Sequence, residues 1–159
     1  MKIRIVAVGK CKETYWRDAI AEYKKRLSRY CNLELIEVED EKTPQFASDL
    51  EETKIKEKEA ERILKHIPEQ SYVFVLAIEG KQRDSVAFST EISQLAIQGK
   101  SDLTFVIGGS LGLHQSVMKR GDTAISFSKM TFPHQLMRVV LLEQIYRGFR
   151  IANNEPYHK

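Results

Sequence analysis

The chain has 159 residues, of which 42% are hydrophobic and 30% charged, with a formal net charge of +3. That length suits one domain, 1–159, with a sizeable core, and the composition excludes a disordered or fibrous chain. No apolar run reaches the roughly 18 residues of a membrane span, and the first residues lack the apolar length of a signal peptide. Cys11 and Cys31 offer neither metal spacing nor a disulfide framework, so no metal, no membrane and a cytoplasmic location are expected.

The charge is unevenly spread. Residues 1–30 hold nine Lys/Arg against three Asp/Glu, residues 31–102 nine against sixteen, and residues 103–159 seven against three. If the two ends share a face, that face is basic and suited to phosphate. An ordinary surface of modest positive charge is the plainer alternative.

Lys2 to Gly9 alternates and ends in glycine, which predicts a strand and a turn. From Thr14, the residues Trp16, Ile20, Tyr23, Leu27 and Tyr30 recur at steps of four and three, one face of a helix. Its other face carries Arg17, Lys24, Lys25, Arg26 and Arg29; a solvated face is the simpler reading and an RNA-docking surface the other. Leu33 to Val38 reads as the second strand. Ser48 and Glu51 have capping-box spacing for a helix running to about His66, packed through Ile55, Ile63 and Ile67 and stopped by Pro68. His66 suits that helix's C-terminal dipole better than catalysis.

Tyr72 to Ile78 is apolar on both alternating sets, the pattern of a central strand covered on both faces, and Glu79-Gly80-Lys81 reads as a loop at its end. Asp84 or Ser85 caps a helix through Phe88, Ile92 and Leu95 that Gly99 ends. Leu103 to Ile107 is the fourth strand, Gln115 to Arg120 a short helix and Thr123 to Phe127 the fifth strand. Strands and helices alternate throughout, which predicts an α/β fold: one mostly parallel sheet with helices on both faces.

The last helix, over residues 136–151, is apolar almost all round, with only Glu143, Arg147 and Arg150 in a polar stripe. Such a helix needs more than one partner: its own sheet and, by the commonest symmetry, a second copy in a homodimer. Arg138 falls on the apolar side and requires an acidic partner or an anionic ligand.

Gly108-Gly109 and Ser126 to Pro133 follow strands and precede helices, where α/β sheets bind small ligands. No dinucleotide fingerprint, P-loop, nucleophile elbow or zinc spacing is present. The residues themselves predict a dimeric α/β protein with a small-ligand site near 76–80, 108–113 and 127–134.

Ile107-Gly-Gly-Ser-Leu-Gly-Leu113, Ser126-Phe-Ser-Lys-Met-Thr-Phe-Pro-His134, Arg138, Glu143, Tyr146-Arg147 and Pro156-Tyr-His-Lys159 stand in one order. With Val6-Ala-Val-Gly9 and Glu57-Lys-Glu59, they resemble the ribosomal RNA large subunit methyltransferase H family of SPOUT-class RNA methyltransferases. The resemblance spans the chain; Lys159 and Gly148 are its small departures. It implies a C-terminal trefoil knot over about 103–155, a homodimer, S-adenosyl-L-methionine as cofactor, and methylation of N3 of a pseudouridine in 23S rRNA, in the assembled ribosome. It implies cofactor contacts at Leu76, Gly108, Phe127, Ser128, Lys129, Met130, Thr131 and Phe132. Tyr157 and His158 would complete a composite site with the partner, with Arg138 as a further catalytic candidate. The alternatives are a SPOUT enzyme acting elsewhere on RNA, such as a ribose 2′-hydroxyl, and a non-catalytic RNA-binding assembly factor.

Overall fold

The computed structural model describes residues 1–159. Ten elements follow one another: β1 (Lys2–Val8), α1 (Thr14–Leu27), β2 (Asn32–Val38), α2 (Asp49–Leu64), β3 (Tyr72–Gln82), α3 (Ser85–Ile97), β4 (Asp102–Ile107), α4 (Gln115–Arg120), β5 (Thr123–Ser126) and α5 (His134–Ala152). The strands form one sheet in the order β2-β1-β4-β3-β5, and every pairing is parallel. All strands therefore end on the same edge of the sheet.

The period of two along each strand divides the core between the two faces. Ile3, Ile5, Phe74, Phe105 and Ile107 face one side, where they meet Leu141, Leu142 and Ile145 of α5. Phe74 stacks on Phe105 with ring centroids 4.7 Å apart. Val6, Val8, Val73, Val75 and Val106 face the other side and pack on Ala60 and Ile63 of α2 and Val117 of α4. On the first side α5 lies between α1 and α3. The basic N-terminal helix and α5 thus share a face, and the acidic α2 lies behind the sheet together with α4.

Local chemistry explains most element ends. The Ser48 Oγ accepts a hydrogen bond from Glu51 N at 3.2 Å, but the Glu51 carboxylate takes the Ser48 hydroxyl rather than its backbone N–H, so only half of the expected capping box forms. Asp84 Oδ1 accepts from Ala87 N at 2.7 Å and caps α3. Gly99, at φ +81°, ends it.

β3 is an interior strand between β4 and β5, covered on both faces as its pattern requires. Two expectations need correction. The first helix ends at Leu27, and Tyr30 sits in the turn beyond it, where its ring still reaches α5 by stacking on Phe149 at 5.4 Å. Glu79-Gly80-Lys81 is not a loop: β3 continues through it to Gln82, and its pairing with β5 shifts so that both Leu76 and Lys81 oppose Ile125. Residues 77–80 bulge out of the ladder between these two pairings, and Lys81 and Gln82 rejoin β5.

Candidate functional site

At the strand ends of β3, β4 and β5 lies a cavity of about 480 Å³. Its walls are Leu76 to Glu79, Ile107 to Leu113, Ile125 to Ser128 and Met130 to Phe132, closed by Lys56 of α2, Met118 of α4 and His134 and Met137 of α5. Both glycine- and serine-rich loops thus meet around one space. Volume and lining, apolar with a few polar groups, are those of a small-molecule site.

Each loop is shaped by its residues. Gly109 bridges to Gly112, whose N–H donates to the Gly109 carbonyl at 3.1 Å, and Gly112 adopts φ +85°. A Cβ at Gly108 would stand 3.0 Å from the Leu113 side chain and 3.1 Å from the Gly112 carbonyl carbon, so the reversal closes only over a glycine. In the second loop Ser126 Oγ donates to the Ser128 carbonyl at 3.0 Å, and Met130 N donates to Ser128 Oγ at 3.0 Å. The third wall depends on Gly80, where a Cβ would come within 2.7 Å of the β5 backbone. Pro133 takes the N-cap position of α5.

Of the residues expected at a cofactor, Leu76, Gly108, Phe127, Ser128, Met130, Thr131 and Phe132 line the cavity; Lys129 is exposed and does not. Lys56, Met118, His134 and Met137 were not singled out, because α2, α4 and α5 reach the cavity only through tertiary packing. Burial, and then the charge of Arg138, lower the pKa of His134, which favours a neutral imidazole at the start of α5.

Arg138 lies just behind the cavity and is fully buried. Its Nη1 meets Glu37 Oε2 at 2.6 Å and Cys11 Sγ at 3.3 Å, and its Nη2 donates to the carbonyls of Val8 and Gly9 at 2.8 Å each. The acidic partner required by its position is therefore Glu37. Glu59 is a second buried ion. It sits on the Ile55–Ile63 side of α2, accepts from Glu41 N at 3.0 Å, and its carboxylate lies 3.4 Å from where a Gly109 Cβ would be. Burial raises its pKa. The interruption of that apolar stripe by a carboxylate was its visible signal.

The tail lies elsewhere. Tyr157 Oη donates to Glu143 Oε1 at 3.1 Å, and its ring meets Tyr146 edge-on at 4.9 Å, beneath the Arg147 guanidinium at 4.7 Å. Arg147 Nη1 lies 3.3 Å from His158 Nδ1; a guanidinium only donates, so Nδ1 accepts and a neutral ring carries its proton on Nε2. Burial and the Glu143 charge push the Tyr157 phenol up to about 12. Glu143 stands six residues beyond Met137, about 9 Å further along α5 at 1.5 Å per residue. Neither Tyr157 nor His158 lines the cavity of its own chain.

The family model described as "Predicted SPOUT methyltransferase" matches residues 1–158. The chain belongs to the ribosomal RNA large subunit methyltransferase H family of SPOUT methyltransferases. The Bifidobacterium adolescentis and Enterococcus faecalis proteins named ribosomal RNA large subunit methyltransferase H are 59% and 61% identical to it over 159 residues, covering 100% of both chains in each case. The solved structure of a probable methylase family protein from Haemophilus influenzae Rd KW20 aligns at TM-score 0.56 and 14% identity, over 99% of this chain and 70% of that one, a likeness of fold. The family identifies the chain as a methyltransferase, an enzyme that takes a methyl group from a donor. No helix is long and apolar enough to cross a membrane.

Proposed function

We propose that this enzyme transfers the methyl group of S-adenosyl-L-methionine to N3 of a pseudouridine in 23S rRNA, acting on the assembled ribosome in the cytoplasm. The observation that carries the reading is the separation between cavity and tail. The two loops of the resemblance surround one small-molecule space, while Tyr157 and His158 are held on the outer half of α5, away from it.

The residues present fit the donor. Leu76, Ile107, Leu113, Ile125 and Met137 offer an apolar wall for a planar base, and the backbone of 108–113 and 126–131 offers polar groups around it. When bound, the donor's sulfonium supplies a methyl group already activated for attack. The protein's task is alignment and exclusion of water. The Gly108 reversal and the Ser126–Met130 hydrogen bonds hold the two loops in one shape. Arg138 supports them by fixing the end of β1 against α5. Lys129, exposed beside the cavity, is assigned to phosphate.

The tail reaches a cavity if it serves the partner in a homodimer. Leu136 and Val140 lie on the outward side of α5 in line with the Glu143–Arg147 pair that holds Tyr157, and Met130 and Phe132, at the cavity rim, are 70% and 39% exposed in the single chain. That apolar strip beside the cavity is the proposed interface, and a C-terminal knot over about 103–155 would bring its loops together. His158 presents Nε2–H as a donor to a carbonyl oxygen flanking N3, while the Tyr157 hydroxyl gives its one proton to Glu143 and fixes the tail. With His158 Nδ1 held by Arg147 and its Nε2 protonated, the N3 proton would go to water when the donor supplies its methyl group.

Methylation by purified enzyme of intact ribosomes and of free 23S rRNA, followed by mass mapping of the product, tests the reading. A product at N3 of pseudouridine on ribosomes is expected. A methyl group on ribose would overturn the position, and no heat of binding with the donor in calorimetry would overturn the chemistry.

A further inference from the structure

The end of α5 is built with more care than a frayed terminus needs. Asn154 takes φ +54°, its N–H donates to the Ile151 carbonyl at 3.0 Å, and Glu155 N donates to the Arg150 carbonyl at 2.9 Å. These are the two bonds of a Schellman ending, and they turn the chain back along its helix. Glu155 then enters a cluster assembled from three places in the sequence. Tyr30 Oη donates to its Oε2 at 2.5 Å, Arg150 pairs with the same oxygen, and Arg29 lies 3.5 Å from Oε1. Arg150 also donates to Tyr30 Oη at 3.2 Å and to the Pro156 carbonyl at 3.2 Å. Tyr30 is itself fixed by stacking on Phe149.

We infer that Glu155 is a positioning residue for methyl transfer, a clamp that sets the direction in which Tyr157 and His158 are presented. The inference rests on the proposal that this tail serves the reaction. Only Pro156 separates the clamp from Tyr157, so its loss loosens the peptide just before the Tyr157–Glu143 bond. The hydrogen bonds that remain, Tyr157 to Glu143, Arg147 to His158 and Arg150 to the Pro156 carbonyl, lie at a half-exposed surface and then compete with water. Misplacement of about 1 Å at a reacting group is enough to cost up to a hundredfold in rate. The cavity lies at the other end of α5 and is untouched, which separates this role from donor binding.

The test uses the full-length enzyme with ribosomes as substrate and labelled methyl donor. Glu155→Ala is expected to lower kcat about ten- to a hundredfold, leave the donor KM and the melting temperature unchanged, and speed removal of the last residues by carboxypeptidase. Tyr30→Phe should do the same more weakly, and Glu155→Gln, which still accepts hydrogen bonds, should recover part of the rate. Carboxypeptidase release unchanged in Glu155→Ala would overturn the clamp itself. Faster release with undiminished kcat would overturn its role in positioning and, with it, the proposal that the tail takes part in the reaction. A fall in kcat matched by a lowered melting temperature and not recovered by Glu155→Gln would assign Glu155 to stability alone and sink the inference.

Discussion

Arg138 Nη1 lies 2.6 Å from Glu37 Oε2, and this ion pair ties the first half of α5 to the end of β2. The arginine side chain is fully buried, and the carboxylate is one-third exposed. Removal of the guanidinium takes a donor from the carbonyls of Val8 and Gly9 and leaves Glu37 Oε2 with only the Cys11 N–H, at 2.7 Å. Because Glu37 keeps some water, Arg138→Ala should cost about 3 kcal/mol, the lower end for a broken buried pair. Urea unfolding measures it; a loss under 1 kcal/mol would show that the cluster contributes little.

Gly80 and Gly99 make a matched pair. A Cβ at Gly80 would press on three β5 backbone atoms at 2.7 to 2.8 Å, whereas Gly99 has open space and only a positive φ. Gly80→Ala should destabilise by about 2 kcal/mol and weaken donor binding, since β5 forms a cavity wall. Gly99→Ala should cost about 1 kcal/mol and leave donor affinity alone. Calorimetry with the donor and thermal melts together separate the two.

Tyr157 should titrate apart from the other tyrosines. Its folded pKa, about 12 against an ordinary 10, favours the neutral phenol in the folded chain, so its contribution to stability is complete below pH 10 and fades as pH rises toward 12. Absorbance titration of wild type against Tyr157→Phe should remove one phenol from the latest part of the curve. A difference spectrum centred at pH 10 would contradict the contact with Glu143.

The composite site makes a prediction about mixtures. His158→Ala should bind the donor normally and lose most methyl transfer, and Gly108→Leu, whose side chain would fill the cavity, should fail to bind it. Subunits of the two variants, allowed to exchange, should regain about a quarter of wild-type activity, because half the dimers then hold one intact site of two. No recovery, with exchange verified by mass, would place tail and donor in the same subunit.

The pH dependence of transfer bears on the proton. With Tyr157 held as a phenol and His158 offering Nε2–H, the rate should rise with pH along the ionisation of the target's own N3, and His158→Asn should lower the profile without altering its shape. A wild-type rate that stopped rising before N3 ionises, with that levelling lost in His158→Asn, would instead make His158 the acceptor.

Much of this protein was legible in its residues because the signals were local. The alternation in Lys2 to Val8, the cap at Asp84 and the glycine at 99 act within a few residues, and the elements form where those patterns put them. The two loops that line the cavity were visible for the same reason, being small-residue runs after strands. What escaped were features set by distant neighbours: the extension of β3 through Glu79-Gly80-Lys81, the arrival of Lys56 and His134 at the cavity, and the burial of Glu59 under Gly109.

Arg138 marks the boundary between the two kinds of knowledge. Helical periodicity alone put it on the apolar side of α5 and required a partner, since a buried guanidinium without one is costly. Periodicity is a property of one segment, so it could not say whether that partner was a ligand or another part of the chain. Strand order decided it: β2 pairs beside β1, which brings Glu37 and the carbonyls of Val8 and Gly9 to the same point. The tail is the converse. Its residues identified a family, but only the folded chain shows them on the far half of α5, tied to Tyr30, Glu143 and Arg150, because hydrogen bonds across 120 residues exist only once α1 and α5 have packed.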